Sequence, residues 1–210
     1  MRIVAFTGPK MCGKDTAAKA LFNLNNPVVV PGQRSLFQKN PFAYGVKAIC
    51  NLTFGWDFEQ MDDPIFKETM LDEWPNCEPR WPMMDIANWM RDKYGGDVWV
   101  RAWINRVLPQ FECQVITDLR FPEELEMLAQ HQACIIYIHR TEAEEALAKA
   151  KAAGDEKALN PSEAHYPLMR QKANFVLEND GEPFELRNAV LQAVRQHFGY
   201  WGHWGTEHGN

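Results

Sequence analysis

The alternation of apolar runs with helix-forming stretches predicts a three-layer α/β fold. A parallel sheet is flanked by helices and interrupted once by a helical insertion. Three observations predict it. The chain opens with a strand-like stretch at residues 2–7 whose centre, Ile3-Val4-Ala5-Phe6, is unbroken apolar, the pattern of a strand buried on both faces. Further apolar runs at 114–117, 133–139 and 174–177 are each followed by a helix-forming stretch. Strand–helix alternation of that kind implies parallel pairing through right-handed crossovers. Finally, residues 42–108 carry mainly helical signals, so they stand between strands as an inserted block.

The elements follow in order. Strand one covers 2–7, and helix one covers 14–25, ending near Asn25-Asn26-Pro27. Val28-Val29-Val30 reads as a short strand closed by Pro31-Gly32, and 31–41 reads as a loop carrying Arg34, Lys39 and Pro41. A helix over 42–54 ends at Gly55, and 56–82 is irregular. A helix over 83–94 breaks at Gly95-Gly96, and Asp97 caps the next, 98–108. The strand at 114–117 ends at Asp118. Pro122 then opens a helix to Gln130, with Glu123 and Glu124 in its first turn. After the strand at 133–139, residues 141–160 are Ala/Glu/Lys-rich without a strong apolar face, which suits a mobile lid better than a core helix. A strand at 174–177 leads through Glu178-Asn179-Asp180-Gly181 to a last helix, 183–198. The tail from Gly199 is aromatic and Gly-rich and has no assignment. One domain is expected: a core of 1–35, 110–140 and 171–198, an acceptor-binding insertion of 36–109, and a lid of 141–170.

Composition narrows the function. At 210 residues the chain can bury a substantial core. Its formal net charge of −6 argues against a general nucleic-acid binder, which would carry a basic face. Five scattered cysteines without metal-like spacing read as reduced, cytoplasmic thiols. The chain enters a strand at once, so no secretory leader is expected, and no apolar run is long enough to cross a membrane. The aromatic tail would suit a homodimer contact.

The first chemical motif is Gly8-Pro9-Lys10-Met11-Cys12-Gly13-Lys14-Asp15-Thr16. An apolar strand before it and strong helix formers after it are the setting of a phosphate loop. Glycines let the backbone curl so that N–H groups point at anionic oxygens, and Lys14 would reach the β/γ-phosphates as a point charge. Gly8, Lys10, Cys12, Gly13, Lys14, Asp15 and Thr16 are therefore the candidate ATP-binding residues. Asp15 replaces the usual Ser/Thr after the lysine and would repel phosphates unless its side chain turns away. The Gly-Lys-x-Thr form resembles the loop of nucleoside monophosphate kinases such as adenylate kinase.

Three more constellations join it. In Ile116-Thr117-Asp118-Leu119-Arg120-Phe121-Pro122 an apolar strand delivers Asp118 at its carboxyl end, where ligands bind in open α/β sheets. There the carboxylate would hold Mg²⁺ together with Thr16, and Arg120 would clamp a phosphate. In the insertion, Lys47, Lys67, Arg80, Arg91 and Arg101 lie among aromatics that include Trp81, Trp89 and Trp99. A nucleotide acceptor needs such cations for its phosphate and a flat wall for its base. In the lid, Arg140, Lys149, Lys151 and Arg170 could close over transferring phosphates. Ser162-Glu163 is a weaker signal, a helix cap.

Taken in order, these motifs resemble the deoxynucleoside monophosphate kinases of tailed bacteriophages, a branch of the P-loop nucleoside monophosphate kinases. The resemblance rests on Gly-Lys-Asp-Thr at 13–16, Phe42-Ala43 with Lys47, Lys67-Glu68, and Gly96-Asp97-Val98-Trp99-Val100. It rests also on Thr117 to Glu123, Ser162-Glu163, and Phe175 to Gly181. It implies a three-layer P-loop fold, ATP with Mg²⁺, transfer to a deoxynucleoside monophosphate in deoxynucleotide biosynthesis, and a host-cytoplasmic setting. It also implies that Asn179 and Gly181 lie near the adenine. The expected roles follow. Lys14, Arg120, Arg140 and Arg170 are catalytic. Lys47, Lys67, Arg80, Trp99, Asp118 and Arg120 are on the acceptor side, and Thr16 and Asp118 on the metal. The partners are small-molecule nucleotides, not nucleic acid or membrane. Two alternatives share the donor site: a kinase of a coenzyme A precursor, and an ATPase without an acceptor.

Overall fold

A computed structural model describes residues 2–22, 37–107 and 113–199. The strand expected at 28–30, Arg34, the end of helix one and the aromatic tail lie outside the described residues. Two compact units make up the chain: Met1–Lys39 with Phe111–Asn210, and Asn40–Gln110.

The first unit is an α/β sheet. Its strands are β1 (Arg2–Thr7), β2 (Phe37–Lys39), β3 (Cys113–Ile116), β4 (Cys134–His139) and β5 (Phe175–Glu178), in spatial order β2-β3-β1-β4-β5. Every pairing is parallel. Register puts Val4 beside both Val115 and Cys134, and Phe6 beside Ile136, so these side chains share one face. Helices α1 (Lys14–Lys19) and α10 (Pro183–Phe198) cover that face, packing Ala17, Ala18, Leu186, Val190 and Val194 into the same cluster. Alternation sends Ile3, Ala5 and Ile116 to the other face, all fully buried. Helices α7 (Pro122–Gln130) and α9 (Tyr166–Lys172) supply Leu128, Tyr166 and Met169 there. Helix α8 (Thr141–Ala152) buries only Ala143. Because all strands run the same way, the loops after β1, β3, β4 and β5 emerge at one edge, the carboxyl edge.

The second unit is helical: α2 (Tyr44–Phe54), α3 (Phe58–Asp62), α4 (Pro64–Glu68), α5 (Arg80–Tyr94) and α6 (Val98–Val107). Val46, Cys50, Trp56, Met61 and Trp99 form its core. Phe54 stacks on Trp56 at 4.5 Å between centroids, and Trp103 Nε1 donates to Asn40 O at 2.7 Å. No helix among the described residues is long and apolar enough to cross a membrane.

Several expectations need correction. The stretch 31–41 is not loop throughout, because β2 pairs with β3 and buries Phe37. Residues 56–82 are not irregular throughout. The side chain of Asp63 accepts from Ile65 N at 2.9 Å, with Pro64 at the first position of α4, and Gln60 Oε1 accepts from Asp57 N at 2.9 Å to start α3. Helix α5 starts at Arg80, not Met83. The expected lid contains α9, whose Tyr166 and Met169 are core, so that part is anchored to the sheet.

Close packing in the helical unit is testable at Gly45. A Cβ there would sit 2.6 Å from the ring of buried Trp99. Gly45→Val should overpack the contact and cost about 2 kcal/mol. The measurement is the urea midpoint at constant slope; an unchanged midpoint would show the contact is slack.

Candidate active site

Backbone geometry shapes the loop after β1. Gly8 has φ 131° and Gly13 has φ 101°, conformations that L side chains rarely adopt. Both positions are also crowded. A Cβ on Gly8 would lie 2.6 Å from Ile138 O of β4, and one on Gly13 would lie 2.3 Å from Asn179 Nδ2. Asn179 Nδ2 donates to Cys12 O at 2.8 Å, so the end of β5 holds the loop in place. Sequence reasoning assigned Asn179 to the adenine. The structure shows its side-chain amide bonded to the loop backbone. Asp180 accepts from Thr141 N at 2.9 Å and Thr141 Oγ1 at 2.6 Å, which caps α8 and lowers its carboxyl pKa. A Cβ on Gly181 would meet Glu185 Oε2 at 2.1 Å, so that side chain would have to shift.

Lys14 folds back over the loop. Its Nζ donates to Gly8 O and Pro9 O, both at 2.6 Å, and stands 3.6 Å from Cys12 Sγ. Burial lowers the pKa of the ammonium below its ordinary 10.5; Cys12 and Glu163 oppose this, and Arg120 adds to it. Burial likewise raises the Cys12 thiol, against the pull of Lys14. Asp15 points outward to Lys39 Nζ at 2.8 Å, which resolves the repulsion expected of a carboxylate at that position. Lys10 on the loop and Thr16 in the first turn of α1 are exposed.

The loop after β3 is tied to the phosphate loop. Thr7 Oγ1, at the end of β1, donates to Leu119 O at 2.8 Å. Asp118, half-buried, precedes that carbonyl. Glu124 Oε2 accepts from Arg120 N at 2.8 Å and Phe121 N at 3.0 Å, fixing the backbone where α7 begins. Arg120 Nη1 donates to Glu163 Oε1 at 2.6 Å and to Ser162 Oγ at 3.3 Å. Lys14, Asp118 and Arg120 thus share the carboxyl edge.

The expected lid cations are placed differently. Arg140 pairs with Glu142 at 2.8 Å. Arg170 reaches Glu144 at 3.5 Å, and its guanidinium lies 5.7 Å from the Tyr137 ring centre. Neither shares a partner with Lys14 or Arg120 among the described residues. His139, Glu178 and Asp180 bring ligand atoms within 4.8 Å of one another, but His139 Nδ1 is hydrogen-bonded to Glu178 and Asp180 is already a cap.

Within the helical unit, buried Lys47 pairs with Asp62, and Lys67 Nζ donates to Asp62 O at 3.3 Å. Arg80 Nε donates to Glu68 Oε1 at 2.7 Å. Trp99 was expected as a wall for a base. It is 4% exposed, and its Nε1 donates to Ala87 O at 3.2 Å, so it is a core side chain. The main residue that sequence reasoning undervalued is Glu163, visible only as the weak Ser162-Glu163 signal.

Two outcomes test this geometry. Gly13→Ala should weaken ATP binding at least about tenfold, since it forces the loop off Asn179. Gly154→Ala, at φ 75° with open space around it, should leave binding alone. Equal binding by both variants would contradict the crowding argument. Lys14 supplies a pH test. Only its ammonium form attracts phosphate, and burial depresses its pKa, so bound phosphate should raise that pKa. ATP binding should therefore take up protons, and affinity should fall as pH climbs toward 10.5. Calorimetry in two buffers of different ionisation enthalpy reads the uptake; Lys14→Arg should remove it.

No family model matches the chain. No curated protein sequence matches it. Among solved structures, a dephospho-CoA kinase from Campylobacter jejuni is similar at a TM-score of 0.46 and 12% identity, over 93% of this chain and 97% of that one.

Proposed function

We propose that the chain is an ATP-dependent small-molecule kinase whose acceptor is a deoxynucleoside monophosphate. The observation that carries the reading is the crowded glycine loop with Lys14 folded across it, beside Asp118 and Arg120 at the next strand end. Polyphosphate would replace the Gly8 and Pro9 carbonyls as the partner of Lys14. Backbone N–H groups of residues 10–16 would hold its oxygens.

The donor set suits Mg²⁺, since the Thr16 hydroxyl and the Asp118 carboxylate are hard oxygen ligands. When bound, the ion neutralises charge on the β- and γ-phosphate oxygens. Arg120 would carry the charge that develops on the moving phosphoryl group. In the helical unit, Lys47, Lys67 and Arg80 would take the acceptor phosphate, which would displace Asp62 and Glu68 as partners of Lys47 and Arg80. An acceptor phosphate is already an anion, so no general base is needed, and the protein acts by positioning and by charge.

A coupled ADP-release assay tests the proposal. The panel is the four common deoxynucleoside monophosphates, dephospho-CoA and no acceptor. Release that depends on a deoxynucleoside monophosphate is expected. Release with dephospho-CoA alone would move the acceptor to a coenzyme A precursor, and acceptor-independent release would make the chain an ATPase. Lys14→Ala should lower turnover by about a thousandfold or more; near-normal transfer would overturn the donor site.

A further inference from the structure

We infer that Glu163 is a positioning residue that holds the Arg120 guanidinium in place at the carboxyl edge, next to the strand end from which the glycine loop leaves. The inference rests on the phosphotransfer reading for its function, but not for its geometry. Arg120 is fixed at both ends. Glu124 holds its backbone N–H, and Glu163 with Ser162 holds Nη1 from a segment more than forty residues away. Among the described residues, no other hydrogen bond occupies the guanidinium. A guanidinium offers five N–H donors in a planar fork; Glu163 and Ser162 engage Nη1, and Tyr166 and Asp118 also act on its charge.

Glu163 is itself held rigidly. It ends a 3₁₀ turn, Pro161–Glu163, that Asn160 Oδ1 caps through Ser162 N at 3.0 Å. Lys151 Nζ donates to its carbonyl at 2.7 Å. The residue is 7% exposed. Stability is a poor account of such a carboxylate. A buried ion pair often gains little over apolar packing. Moreover, Glu163 Oε2 lies buried beside the Tyr166 hydroxyl without forming a well-aligned hydrogen bond to it. Unsatisfied buried polar atoms cost free energy, so this arrangement is held against a local penalty. What it achieves is a long side chain set in one rotamer family before any ligand arrives, which lowers the ordering cost at the moment of transfer. The charges of Arg120 and Glu163 are both felt at Lys14, so the pair belongs to the same electrostatic neighbourhood as the loop.

The test is a double-mutant cycle on kcat with the preferred acceptor. Glu163→Gln keeps the shape and removes the charge. It should lower kcat about 100-fold, with KM for ATP within about threefold. In an Arg120→Ala background the same change should have no further effect. Equal losses in both backgrounds, or none in either, would overturn the proposal. If Glu163→Gln fails to fold, Ser162→Ala removes the 3.3 Å contact and leaves the ion pair. It should cost severalfold in kcat, again only when Arg120 is present. If the wild-type chain transfers no phosphoryl group, the kinase reading fails by itself. The cycle is then read on affinity for inorganic tripolyphosphate. Glu163→Gln should weaken it about tenfold through Arg120 alone, and an effect independent of Arg120 would again overturn the proposal.

Discussion

Two strand ends press on the loop Gly8–Gly13 at the points where only hydrogen fits. The carbonyl of Ile138 sits against Gly8, and the Asn179 amide sits against Gly13 while holding the Cys12 carbonyl. The loop is thus shaped by tertiary contact as well as by its glycines. Because β4 and β5 are parallel to β1, their carboxyl ends arrive at the same edge and can make those contacts. Any ligand chemistry at this edge depends on that squeeze.

Charge is arranged around the squeezed loop in compensated pairs. Lys14 satisfies itself on backbone carbonyls, Arg120 on Glu163, and Lys39 takes up Asp15. Unpaired charge would be costly where Lys14 and Arg120 are partly buried, since desolvation penalises it. The partners differ in kind. Two peptide carbonyls are neutral and readily exchanged for phosphate oxygens, whereas the Glu163 carboxylate is a fixed charge on an anchored turn. Lys14 is therefore suited to leave its partners, and Arg120 to keep one of its own. Such a division fits phosphoryl transfer, where catalysis is mainly positioning and charge neutralisation.

The glycine loop after β1 was legible because its requirements are local. A buried strand, glycines at turning points and a lysine at fixed spacing lie within sixteen residues, and the strand–helix alternation of the sheet is equally local. Tertiary contacts were not legible. Glu163 meets Arg120 across forty-three positions, and nothing in Asn-Pro-Ser-Glu distinguishes a cap from an ion-pair partner. Asp15 looked repulsive because Lys39 lies on β2, a three-residue strand defined by its pairing rather than its composition. Helices α3 and α4 are too short to show a period. Trp99 was read as a binding wall because residue type alone cannot tell a core indole from an exposed one.

The central claim is that the loop from Gly8 to Thr16 is where a polyphosphate binds. Amide NMR shifts on titration with MgATP test it most directly. The account predicts large shifts for Gly8–Thr16 and for Asp118–Arg120, with the far ends of the strands unmoved. Binding that leaves those amides unshifted while perturbing another surface would contradict it.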